Sequence, residues 1–150
     1  MNYFLLMRQE IVLLAIALFL LAAEVFVPKN KKESLIHLAI LLFAVHTLLG
    51  FFSNKTGELF GGMFRTTELI DLFKTILNIA VLLVLLQATD WIKDKVLRDN
   101  RGVEFFVLLF SSLLGMYFLV SAGDFLMMYL GIELSTLPVA ALAAYEIAKR

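Results

Sequence analysis

The sequence predicts an all-α integral membrane protein with about five transmembrane helices, and three observations lead there. Of its 150 residues, 61% are hydrophobic and mean hydropathy is +0.91, whereas soluble domains hold roughly 45–50% apolar residues. The apolar residues fall into five runs of about the length a helix needs to cross the hydrocarbon, roughly 17–25 residues. The ten-residue alternating segments that mark a membrane β-barrel do not occur. Each run must therefore satisfy its own backbone as a helix.

The spans are expected at residues 11–27, 35–52, 69–88, 103–122 and 125–145, forming one helical region over residues 1–150. The first has a single basic residue before it, Arg8, and ends in Glu24-Val25-Phe26-Val27-Pro28 without a small-x-small cleavage site. It reads as a retained anchor rather than a secretory signal, with Glu24 snorkelling to the interface. The second carries His37 and His46, nine apart, with no Cys, Asp or Glu at ligand spacing, so no metal site is expected. His46 is the deeper of the two and is placed to hydrogen-bond a neighbouring helix. The connection 53–68 mixes Gly57, Gly61 and Gly62 with Leu59, Phe60, Met63 and Phe64, which suits a turn or a short interfacial helix.

The third span opens with Asp71 and Lys74, three apart on one face. They read as a local ion pair or as the outer end of a polar path, and Asn78 extends that face inward. The connection 89–102 contains Trp91, suited to the interface. Glu104 opens the fourth span, where a carboxylate favours the helix N-terminus. The connection at Gly123-Asp124 is nearly nil, so the last two spans form a tight antiparallel hairpin. Small residues, among them Ala15, Ala22, Gly115 and Ala140, offer modest close-packing sites.

Charge asymmetry sets the expected orientation. Arg8, Lys55 and Arg65 lie on one side. Lys29, Lys31, Lys32, Lys93, Lys95, Arg98, Arg101, Lys149 and Arg150 lie on the other, nine against three. By the positive-inside rule the N-terminus faces outward and the C-terminus the cytoplasm of a bacterial inner membrane.

Composition also excludes function classes. Thirteen basic and thirteen acidic residues cancel, so nothing draws a nucleic acid, and the lipid bilayer is the partner implied. The chain has no Cys, hence no thiolate nucleophile and no iron–sulfur ligation. It has no P-loop, no dinucleotide fingerprint and no hydrolase signature. No redox or hydrolytic active site and no bound cofactor or metal is expected on this chain.

One residue gives the apolar runs a functional direction. Glu133 lies about eight residues into its span, roughly 12 Å deep at 1.5 Å per residue. A carboxylate at that depth costs roughly 2.5–3.5 kcal/mol by insertion scales. A chain keeps such a group where it binds a proton, pairs with a cation or faces a wet path inside a bundle. Pro138 cannot donate a backbone hydrogen bond and frees the carbonyl of Leu134, so water is expected near the acid.

The stretch Glu104-Phe-Phe-Val-Leu-Leu-Phe-Ser-Ser-Leu-Leu-Gly-Met, then Ser121-Ala-Gly-Asp-Phe-Leu, then Tyr129-Leu-Gly-Ile-Glu133-Leu-Ser-Thr-Leu-Pro138 resembles the antiporter-like membrane subunits of respiratory complex I. It is most similar to the subunit N family of NADH–quinone oxidoreductase, with weaker echoes at Arg8-Gln9-Glu10 and Asp71-Leu72-Phe73-Lys74. The resemblance implies a helical bundle in which Glu133 carries protons and Glu104 is a possible relay. It makes Asp124 a cap or hairpin lock. It also implies other membrane-arm subunits as partners, with NADH, flavin, iron–sulfur clusters and quinone on other subunits. Members usually carry Asn where this chain has Gly123, a position read as loose. Members also run to about fourteen helices, so the chain is expected to be an N-terminal portion, and the lysine partnering Glu133 lies outside it. The alternatives are a subunit of a multi-subunit cation/proton antiporter and a non-transporting membrane scaffold.

Overall fold

A computed structural model describes residues 3–28, 31–52, 56–99 and 102–144. Lys29, Lys55, Arg101, Tyr145, Lys149 and Arg150, on which the charge and span arguments drew, lie outside the described residues, as do the side chains of Lys95 and Arg98. One short turn, α1 (Tyr3–Leu6), precedes α2 (Arg8–Phe26) and α3 (Lys32–Gly50). A β-hairpin follows, β1 (Gly57–Leu59) and β2 (Phe64–Thr66), and then α4 (Glu68–Asp99), α5 (Gly102–Val120) and α6 (Phe125–Ala144). Helices α2 to α6 are each long and apolar enough to cross a membrane, matching the five apolar runs.

Local chemistry explains the element ends. α2 stops where Val27 turns extended ahead of Pro28, a residue whose ring disfavours helix in its predecessor. Thr67 accepts the Ile70 N–H through its hydroxyl at 3.3 Å and starts α4. Asp124 accepts the Met127 N–H at 2.8 Å, so it caps α6 as expected. At 32 residues, α4 is about 48 Å long. That exceeds a hydrocarbon layer of roughly 30 Å, so α4 carries Asp90, Lys93 and Asp94 past its apolar portion.

α2, α3, α4 and α5 surround a core that includes Leu13, Leu20, Ile36, Phe43, Phe106 and Phe110. Phe43 and Phe110 stack across it with ring centroids 5.0 Å apart. The outward faces expose Leu18, Leu41, Leu83 and Phe125, as helices in lipid do. Glu24, expected to snorkel to the interface, is paired: Lys32 lies 3.5 Å from its carboxylate.

α6 packs almost wholly on α5. Its buried residues are Gly131, Ser135 and Pro138, one stripe at helical spacing. The contact depends on missing side chains. A Cβ at Gly115 would sit 2.3 Å from the Ser135 backbone nitrogen, and one at Gly131 would sit 2.6 Å from that of Leu119. Ser112 adds a hydrogen bond to the Ser135 carbonyl at 3.0 Å. This is the close backbone approach that small residues permit in membranes.

The connection 53–68 departs from the sequence expectation of a turn or short interfacial helix. It forms an antiparallel hairpin pairing Gly57 with Thr66 and Leu59 with Phe64, closed by a tight 3-10 turn at Phe60–Gly62. Phe60, Gly61 and Gly62 all have positive φ, which two glycines make accessible. Leu59 and Phe64 turn inward against Leu6 as a second small core. The hairpin then docks on the α5–α6 turn: Arg65 N–H donates to the Ser121 carbonyl at 2.8 Å, and Gly123 N–H to that of Met63 at 2.7 Å. Gly123 is therefore not a loose position. A Cβ there would lie 1.8 Å from the Gly62 carbonyl oxygen.

Candidate functional site

Two polar features sit inside the apolar bundle, and they differ in how the protein covers them. The larger lies where α2, α4 and α5 meet beneath the hairpin. Lys74, only 1% exposed, donates to Glu10 at 2.5 Å, and Glu10 is 2% exposed. The ammonium also lies 5.1 Å from the centre of the Phe64 ring and 5.8 Å from that of Tyr117, within cation–π range. Phe64, from the hairpin, and Tyr117, from α5, thus flank the cation. The sequence offered Asp71 and Lys74 as a local pair or as the outer end of a polar path; the ion pair of Lys74 with Glu10 joins α4 to α2.

Hydrogen bonds extend the feature deeper. One turn beyond Lys74, Asn78 accepts from the Tyr117 hydroxyl, whose oxygen lies 3.1 Å from His46 Nε2. His46 thus bonds a neighbouring helix. Tyr117, Asn78 and His46 are at most 2% exposed, so four helices contribute to one buried set. Thr75 donates to the carbonyls of Gly50 and Asp71 at 3.2 and 2.9 Å. Arg8 closes the adjoining surface, donating to the Leu49 and Phe52 carbonyls at 3.1 and 2.7 Å.

Glu10 and Tyr117 carry this network with Lys74, with Gln9 buried beside them, yet the sequence marked Gln9 and Glu10 only as a faint echo and Tyr117 not at all. The available signal was three polar residues, Arg8-Gln9-Glu10, opening an apolar helix, and one tyrosine inside an apolar run.

The second feature is Glu133. It occupies the middle of α6, two residues from Gly131 and two from Ser135. At 100° per residue it points roughly opposite to the stripe that meets α5. Its side chain is half-buried and interacts with Tyr129 one turn earlier. Among the described residues no other helix packs extensively on that flank. Glu104 lies in the first turn of α5, exposed, and no ion pair or hydrogen bond of its side chain joins it to Glu133 among the described residues. Asp71, 7% exposed, lines the mouth of a cleft beside the network. The four residues singled out from sequence therefore do not converge on one centre. Asp71 and Lys74 belong to one end of the bundle, while Glu104 and Glu133 stand apart from it and from each other. No group of three metal-ligating side chains occurs among the described residues.

Comparison with known proteins gives this geometry a context. The chain is 39% identical over 140 residues to NADH-quinone oxidoreductase subunit N of Phocaeicola vulgatus, which covers 93% of the chain and 29% of that protein. It is 38% identical over 145 residues to subunit N of Azobacteroides pseudotrichonymphae, covering 95% and 30%. Subunit N of Desulfitobacterium hafniense matches at 30% identity over 144 residues, covering 94% and 28%. The chain is thus related to NADH-quinone oxidoreductase subunit N along nearly its whole length, and it spans under a third of the relatives it matches. No family model matches it.

Proposed function

We propose that this chain is the N-terminal portion of a membrane-arm subunit of a proton-pumping NADH–quinone oxidoreductase and that Glu133 is a proton carrier in it. The observation that carries the reading is 39% identity across 93% of the chain to a protein named as subunit N of that enzyme. The relatives' shared name favours it over a cation/proton antiporter subunit. In this reading five spans leave the two ends on opposite faces of a bacterial inner membrane, and lysine and arginine asymmetry favours an outward N-terminus.

The chemistry follows from a carboxyl group held at mid-depth. In an apolar bundle the charged form is disfavoured unless a cation or water balances it. The Glu133 carboxyl, on a half-covered flank with Tyr129 beside it, in this reading exchanges its proton with a positive group brought close by. In this reading, helices beyond the present chain cover that flank and supply the lysine. Charge movements in neighbouring subunits bias the exchange. The chain has no Cys for iron–sulfur ligation, and NADH, flavin, clusters and quinone act on other subunits.

Glu133→Gln keeps the shape and removes the exchangeable proton. In inverted membrane vesicles containing the full complex, it is expected to lower proton pumping driven by NADH while leaving the amount of assembled complex near normal. Unchanged pumping would remove Glu133 from the mechanism.

A further inference from the structure

We infer that the bundle end formed by α2, α3 and α4 encloses an aqueous inlet that admits water and small cations and ends at the Glu10–Lys74 pair. An open cleft of about 420 Å³ there is lined by Gly50, Phe51, Glu68, Asp71, Leu72 and Thr75. Two carboxylates at its rim favour cations over anions.

The independent observation is a set of buried polar atoms behind the cleft that have no hydrogen-bond partner among the described residues. They are both amide atoms of Gln9, Oε2 of Glu10 and Nδ2 of Asn78, in residues no more than 2% exposed. Gly50, which lines the cleft, borders two of these atoms. A Cβ there would lie 3.5 Å from Asn78 Nδ2, 3.5 Å from Thr75 Oγ1 and 4.0 Å from Gln9 Oε1. A second cavity of about 20 Å³ touches Arg8, Gln9, His46 and Gly50, enough for about one water.

The unpartnered set contains donors and acceptors together: Gln9 offers both, Glu10 accepts and Asn78 donates. That mixture suits water and hydrated cations, and anions poorly. Arg8, Glu10, His46, Glu68, Asp71 and Lys74 are the ionisable groups around it, with the Tyr117 hydroxyl at its deep end. Water there keeps the ion pair hydrated where the helices exclude lipid. The inlet is separate from Glu133 and stands or falls without it.

Cysteine accessibility tests it, because methanethiosulfonates react with the thiolate, which forms in water and not in lipid. This chain has no native Cys. Thr75→Cys and Ile76→Cys are placed singly in the full subunit, freed of other cysteines, within the assembled complex. Vesicles of each sidedness receive the aminoethyl reagent (cationic) or the sulfonatoethyl reagent (anionic). Thr75→Cys is expected to react from one side only, about tenfold faster with the cationic reagent. Ile76→Cys, on the exposed apolar face of the same turn, should react far more slowly. Adding Gly50→Leu, which fills the gap, should suppress the Thr75→Cys reaction. Should Thr75→Cys fail to assemble, Leu72→Cys at the rim serves for the same comparisons. Equal rates at the inlet cysteine and Ile76→Cys, equal rates for the two reagents, or a rate unmoved by Gly50→Leu overturns the proposal.

Discussion

The hairpin end of the bundle and the middle of α6 each bury ionisable chemistry in an apolar protein, and they do it in opposite ways. Under the hairpin, Lys74 meets Glu10 from another helix, two aromatic faces and the Asn78–Tyr117–His46 chain nearby. α2 to α5 and the hairpin supply all of those partners. On α6 the backbone is pressed against α5 through Gly115 and Gly131, and the acid at Glu133 is left on the other side, half-covered, beside one tyrosine. A charge whose partners are fixed is a structural element. A charge whose partner is missing from its own bundle is available to something that arrives. The comparison teaches that burial alone does not single out a group free to exchange a proton, since the more buried ion pair is the one held most firmly.

The sharpest way to break the comparison is to remove half of the closed pair. Lys74→Met leaves the Glu10 carboxylate buried and uncompensated, an expected loss of about 3–5 kcal/mol. It should appear as strongly reduced assembled subunit in membranes. Glu10→Leu combined with Lys74→Met is expected to recover most of that loss, because no charge is then stranded. If the double variant is as poor as the single one, the pair does more than hold helices together.

Next in size comes the helix contact that turns Glu133 outward. Gly115→Ala places a methyl group against backbone that cannot move aside, and such overpacking costs about 1–3 kcal/mol. The thermal midpoint of the detergent-solubilised complex should fall, and proton pumping per assembled complex should fall with it as α6 shifts. Smaller still is the cap. Asp124→Ala removes the acceptor for Met127 N–H and is expected to cost about 1 kcal/mol, visible as a modest midpoint shift with pumping intact.

Legibility in the sequence followed the range of the interactions. Five helices could be read because each spans lipid on its own composition, and Asp124 because a cap is local. The hairpin was hidden: its strands are three residues long, too short to show alternation, and its turn depends on positive φ at Phe60 as well as at two glycines. The partner of Lys74 was hidden because Glu10 lies 64 residues away, while local spacing pointed to Asp71. The tightness of Gly123 depends on the carbonyl of Gly62, which no local pattern could bring near. That Glu133 falls midway along its helix was legible from its position in the apolar run. Its direction was not, because that depends on which stripe of α6 meets α5, although Gly131 and Ser135, four apart, carried the hint.

The most direct test is vibrational. Infrared difference spectra between resting and NADH-oxidising complex report carboxyl groups that gain or lose a proton. A protonated-carboxyl band is predicted that persists in Glu10→Gln and vanishes in Glu133→Gln. A band that survives in Glu133→Gln, or that only Glu10→Gln removes, would contradict the division of labour between the two regions.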